Sequence, residues 1–216
     1  TFFNSGNISG IGNLVTNGPF IWNGGTIAGS GTLTPNNNAT WSSGTLQRTF
    51  TINNGQTLTI GNTGSYCYIS TDGSLQNQGT VNWNNAFIYW QGTNPSINNN
   101  GIFNIDNAGY GMYYSNAYGI FNNSGTINKL NTYTVYLQYL NTLNNTGTIS
   151  IQNGALNLAN STFTNNGLLT TSTNGIFQLN SGNAFTNGAN GIMGGNGTFD
   201  MPYTYINNGT IAPGAS

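Results

Sequence analysis

Once every 19 to 24 residues the chain returns to one short pattern: an apolar residue, any residue, Asn, any residue, Gly, then a run alternating apolar with polar side chains. The closest copies are Leu75-Gln-Asn77-Gln-Gly79, Ile97-Asn-Asn99-Asn-Gly101, Phe121-Asn-Asn123-Ser-Gly125, Leu143-Asn-Asn145-Thr-Gly147, Phe163-Thr-Asn165-Asn-Gly167 and Tyr205-Ile-Asn207-Asn-Gly209. Phe185-Thr-Asn187-Gly188 is a shortened copy, those ending at Gly6, Gly25 and Gly44 are looser, and the spacing is uneven around Gly55, between residues 45 and 75. A fixed period of this length marks a chain that stacks one supersecondary unit on the next.

After each glycine the residues suit a short strand, as in Thr80-Val-Asn-Trp83, Ile102-Phe-Asn-Ile105 and Thr148-Ile-Ser-Ile151. No segment sustains a 3.6-residue period, so essentially no helix is expected. Hairpins folded into a sandwich or barrel would also give evenly spaced strands. Recurrence of the same Asn and Gly once per long period instead favours a parallel β-helix, where stacking aligns Asn side chains to hydrogen-bond with their equivalents above and below. Asn and Gly also tolerate the left-handed backbone of tight corners. The expectation is all-β: a single solenoid domain over residues 1–216, of about ten coils at a spacing of ~4.8 Å per coil. The repeat is already running at Phe3 and still running at Ile211, with no obvious cap.

Chemistry is bounded by what the composition omits. The chain of 216 residues has no His, and its charged side chains are Arg48, Lys129, Asp72, Asp106 and Asp200. A basic field for nucleic acid is missing, as is any apolar stretch long enough for a membrane-spanning helix. A Ser-His-Asp arrangement is ruled out without His. The three Asp fall at unrelated offsets in the repeat, so no carboxylate pair for glycoside hydrolysis is expected. Gly194-Gly-Asn-Gly-Thr-Phe-Asp200 misplaces the Asp of a calcium-binding nonapeptide by one residue. The sequence is therefore read as non-enzymatic, with no metal and no cofactor. Arg48 and Lys129 are expected on solvated faces or corners, and Cys67 as a buried, inert thiol.

Disordered chains combine low hydrophobicity with high net charge, whereas this one is 36% hydrophobic with net charge -1 and 42 Asn set at regular places. The run around Trp22-Asn-Gly-Gly-Thr-Ile27, the segment Phe121-Asn-Asn-Ser-Gly-Thr-Ile127 and the closing Asn207-Asn-Gly-Thr-Ile-Ala-Pro-Gly-Ala-Ser216 resemble segments of secreted bacterial β-helix repeat proteins: autotransporter passengers and filamentous-haemagglutinin-like surface proteins. That resemblance implies a right-handed parallel β-helix, an extracellular or cell-surface location, and structural or adhesive work. It carries over no catalytic residue.

Three functions are compatible with these residues. The first is a β-solenoid subunit of a fibre or cell-surface stalk. It would self-associate head to tail, through Phe2, Phe3 and Ile8 at one end and Tyr203, Tyr205, Ile206 and Ile211 at the other, or would continue into flanking repeats of a longer chain. The second is an adhesin that binds glycans on an aromatic strip formed by Tyr66, Tyr89, Trp90, Tyr113, Tyr114 and Tyr136. For any one of these residues an internal stack is the favoured reading, although the run Phe87-Ile-Tyr-Trp90 cannot point wholly inward. The third is ice binding, suggested by Thr-x-Thr triplets at 32–34, 49–51, 57–59, 132–134 and 162–164. Their spacing is irregular in sequence, whereas a lattice-matching face needs one such triplet per coil.

Overall fold

The computed structural model describes residues 2–180, 182–201 and 203–214, with the side chain of Phe2 outside the described residues. Every regular element is a strand, and every strand pairing is parallel between successive passes of the chain, giving a β-solenoid of about nine turns. Each turn contributes strands to three faces. In one turn these are Ser96–Asn99 on the first face, Ile102–Ile105 on the second and Gly111–Tyr114 on the third. The next turn pairs with all three, through Gly119–Asn123, Thr126–Lys129 and Val135–Gln138.

Alternation along the strands sorts side chains into columns. Phe50, Leu75, Ile97, Phe121, Leu143, Phe163 and Phe185 form one interior column of the first face, and Leu58, Val81, Phe103, Ile127, Ile149, Leu169 and Met193 one of the second. The early turns are filled by Trp22 and Trp41, stacked at 4.8 Å with their planes 3° apart and fully buried. Burying such columns supplies the main driving force, at about 25 cal/mol for each Å² of apolar surface removed from water.

The repeat Asn closes the first face. Asn77, Asn99, Asn123, Asn145, Asn165 and Asn187 point inward and are at most 1% exposed, while Asn207 in the last described turn is exposed. Each Nδ2 donates to the Oδ1 of the Asn one turn further on, at 2.6 to 2.8 Å. The same amides donate to backbone carbonyls of the neighbouring second-face strand, as from Asn123 to Thr148 O at 3.1 Å. Below Asn77 the position passes to Ile52, just before Gly55, whereas the looser copies ending at Gly25 and Gly44 lie at a different corner, since Trp22 and Trp41 continue the second-face column of Ile60 and Gly44 pairs with Cys67 on the third face; the uneven spacing near Gly55 is this change of corner.

The repeat glycines serve a different purpose from the one expected. Gly79, Gly101, Gly125, Gly147 and Gly167 do not have positive φ. A Cβ at Gly101, Gly125, Gly147 or Gly167 would collide with the carbonyl oxygen of the corner glycine one turn earlier, and one at Gly79 with the carbonyls of Asn53 and Gln56. Close approach of stacked backbones, rather than a left-handed conformation, selects glycine here. Gly188 is not the register equivalent either. The corner after Asn187 is longer, and Gly191 takes the place: its carbonyl accepts from Thr210 N and would meet a Cβ on Gly209.

Replacing Asn123 by Ala leaves the Oδ1 of Asn145 without its donor, removes the amide donor to Gly125 O and Thr148 O, and leaves Asn99 Nδ2 with its backbone acceptors Gly101 O and Thr126 O alone. At about 1–3 kcal/mol per orphaned buried group, the loss expected in urea unfolding is about 2–5 kcal/mol. Gly125→Ala is expected to destabilise at least as much, because its clash is with backbone that cannot step aside.

Candidate binding face

The outer side of the third face differs from the other two. Its outward positions across four turns hold Tyr66 and Tyr68, then Phe87 and Tyr89, then Tyr113, then Tyr136, in register through the pairings of Ser65–Ile69, Ala86–Trp90, Gly111–Tyr114 and Val135–Gln138. Tyr66 lies over Phe87 at 5.3 Å and 11°, Tyr68 over Tyr89 at 5.4 Å, and Tyr89 near Tyr113 at 5.9 Å. Tyr110, from the preceding turn segment, meets Phe87 edge-on at 4.7 Å. Parallel strands one turn apart are about 4.8 Å apart, so aromatic rings at equivalent outward positions stack along the axis.

This geometry sets what the patch can do. Rings stacked on one another spend their π-faces internally, with pairs worth about 0.5–1.5 kcal/mol each beyond burial. Outward they present ring edges and phenol hydroxyls. Tyr66 is the exception at 48% exposure. A second group, Tyr114, Tyr118 and Tyr139, gathers at the next corner with centroids 5.5 to 5.9 Å apart, and the first two are about half exposed.

Of the six residues expected in the strip, Tyr66, Tyr89, Tyr113 and Tyr136 share the outer third face, and Tyr114 stands at its corner. Trp90 does not belong to it. Its side chain is fully buried beneath Gly119, where a Cβ would enter the indole ring, and its Nε1 donates to Gln138 O at 3.2 Å. Alternation along Ala86–Trp90 settles the point, since Phe87 and Tyr89 face out while Ile88 and Trp90 face in. Phe87, central to the patch, was legible only as part of that run.

The residues expected at the ends occupy two kinds of position. Phe3 and Ile8 pack partly buried under the core of the first turn, and Tyr205 packs on Phe185 at 5.9 Å. Ile211 lies in the column of Met193 yet is 44% exposed, and Tyr203 and Ile206 are more exposed still. Phe2 pairs through its backbone with Ile21.

Both basic side chains are interior, contrary to expectation. Lys129 sits in the inward column between Ile105 and Ile151, fully buried, with Nζ donating to Asn131 O, to Asn131 Oδ1 at 2.8 Å and to Asn153 O at 3.1 Å. Burial pushes its pKa down from 10.5 to about 8, against an opposing pull from Asp106. Arg48 turns inside the corner between third and first faces and donates from Nε to Gly31 O at 2.9 Å and from Nη2 to Gly12 O at 2.6 Å. Beside it a shallow polar hollow of about 380 Å³ is lined by Gly29, Ser30, Gln47, Thr49, Thr71 and Asp72. These cations work as caps for backbone carbonyls of successive turns, a role that composition alone does not reveal.

The remaining reactive groups are dispersed. Asp72 is in a turn with φ 55°, Asp106 follows the second-face strand Ile102–Ile105, and Asp200 accepts from Gln178 Nε2 at 2.8 Å on the third face. Among the described residues no three His, Cys, Asp or Glu gather where they could hold a metal. Cys67 is buried under the carbonyl of Trp41, at 3.6 Å, and burial pushes its thiol pKa up. Compared with known families, curated proteins and solved structures, the chain matches none.

Because the Lys129 pKa is lowered on folding, the unfolded chain holds the extra proton between about pH 8 and 10.5, and stability rises with pH across that window. An opposing fall sets in as tyrosines ionise, since Tyr89 and Tyr113 are held up by burial first and neighbouring tyrosines second. Thermal melts should therefore show a midpoint that climbs above pH 8 and then drops. Lys129→Met should remove the climb and keep the drop.

Proposed function

We propose that this chain is a non-enzymatic structural rod of the cell exterior, a β-solenoid segment of a stalk or fibre that makes contacts along its side. The observation that carries this reading is the sameness of the stacking. Each turn rests on the backbone and the apolar columns of the one before, joined from Asn77 onward by the Asn amides, up to the pairing of Asn187 with Asn207. A unit of this kind extends by adding turns, from the same chain or from a second copy, and its near absence of charge removes the usual repulsion between copies. The extracellular placement is supported by the resemblance of its repeat segments to those of secreted bacterial β-helix proteins.

A second reading, adhesion to glycans, is favoured by one observation: Tyr66, Tyr114 and Tyr118 keep about half their surface in water on one side of the rod. Tyrosine there offers an apolar face with a polar tip, the combination that suits sugar contacts.

Negative-stain electron microscopy with analytical ultracentrifugation of the intact chain distinguishes the outcomes. Filaments growing with concentration are expected for head-to-tail assembly, and uniform short rods for a stalk segment. Compact or aggregated particles without rod shape would overturn the structural reading. On a glycan array, Tyr66→Ser and Tyr118→Ser should each weaken any binding, and no binding by the native chain removes the adhesive reading.

A further inference from the structure

The second face carries an ordered surface that neither stalk nor aromatic strip requires. Two outward columns run along it in unbroken register. One holds Thr57, Thr80, Ile102, Thr126, Thr148 and Leu168, and the other Thr59, Asn82, Asn104, Asn128, Ser150 and Thr170. The triplets that look irregular in sequence are scattered: Thr57-Leu-Thr59 lies here, Thr32-Leu-Thr34, Thr49-Phe-Thr51 and Thr162-Phe-Thr164 lie on the first face, and Thr132-Tyr-Thr134 lies in the turn before Val135–Gln138. Within the second face the rank is completed at each level by Thr, Asn, Ser or an aliphatic residue, so each of these turns supplies its pair.

Strand geometry spaces the members of a column by about 4.8 Å, and the two columns by about 6.7 Å. These threonines are half-buried, and the hydroxyls of Thr57, Thr59, Thr80, Thr126 and Thr148 make no hydrogen bond to protein. Asn128 donates to Asn104 at 3.0 Å and Asn104 to Asn82 at 2.9 Å, which locks that column into one conformation. No charged side chain points out of these strands, Lys129 being turned inward. On the first face it is the hydroxyls that are engaged, Ser74 with Ser96, Gln76 and Asn98, so fewer of them are free there.

Seven of these twelve positions carry a hydroxyl, three an asparagine bonded along the axis and two an aliphatic side chain, so the face offers water regularly spaced hydroxyls set between amide and apolar groups. Its rectangular repeat is close to that of oxygen rows on a prism face of ice, and the surface is as free of charge as the ice it would meet. We propose that the second face binds ice, through ordered water held by the Thr57–Thr59 and Thr126–Asn128 ranks and those between and beyond them.

The test uses the intact chain in ice-recrystallisation and freezing-hysteresis assays. The expected result is shaped crystals and arrested growth, with most activity lost in Thr80→Tyr and Thr126→Tyr and retained in Thr51→Tyr on the first face. Circular dichroism checks folding, and Thr126→Val, which keeps the volume and removes the hydroxyl, replaces any variant that does not fold; it should show a partial loss. Ice growth unchanged from buffer would overturn the proposal, including the case where the chain adsorbs to microcrystalline cellulose or chitin instead. Full activity in the second-face variants, or equal loss in Thr51→Tyr, would overturn it too.

Discussion

From Asn77 onward this rod depends on keeping buried amides paired. An Asn side chain in an apolar interior is tolerable only when its donors and acceptor are satisfied, and here each amide finds its partner in the next turn. The requirement fixes register, since a strand shifted by one residue would turn the amide outward and an aliphatic side chain away from the core. It also fixes spacing, because the amides reach one another only if the corner backbones come close enough to forbid a Cβ. Asn and Gly are thus a single device: the glycine permits the approach that the asparagine needs.

That device is why so much of the architecture can be read from the sequence. Period, strand alternation, Asn column and absence of helix all stem from residues recurring at fixed spacing. The sequence hides where the chain is between one corner and the next. The connections from second to third face and from third to first vary in length, so offsets counted from the repeat glycine drift. Trp90 and Tyr89 are adjacent in sequence yet on opposite sides of the sheet, and Thr57 and Thr49 lie on different faces despite belonging to similar triplets. Lys129 occupies a column otherwise filled by Ile105 and Ile151 because its ammonium can reach the carbonyls of a neighbouring corner, a compensation invisible without the turn beside it.

The three faces also divide the labour of meeting solvent. Two are covered by short polar side chains that bond along the axis or stay free, as in Asn98, Asn122 and Asn144 on the first and the threonines of the second. The third concentrates the large exposed rings. A chain with almost no charge has to stay soluble through hydroxyls and amides, and their arrangement in ranks gives each side of the rod its own texture. Large rings and short polar side chains are therefore segregated by geometry, and one set can change without disturbing the other.

The change from Asn77 to Ile52 in one column has a mechanical consequence. Hydrogen bonds between turns lie along the rod, so tension on its ends peels turns one at a time instead of shearing them together. From Asn77 onward each turn is held by backbone bonds and a buried side-chain amide; below it this column adds only packing, and side-chain bonds between turns come instead from Arg48 to Gly31 and Gly12 and from surface asparagines such as Asn23 and Asn36. Under load the two sections would therefore yield differently, one by breaking a buried ladder link by link and the other by releasing a single cation from several turns at once.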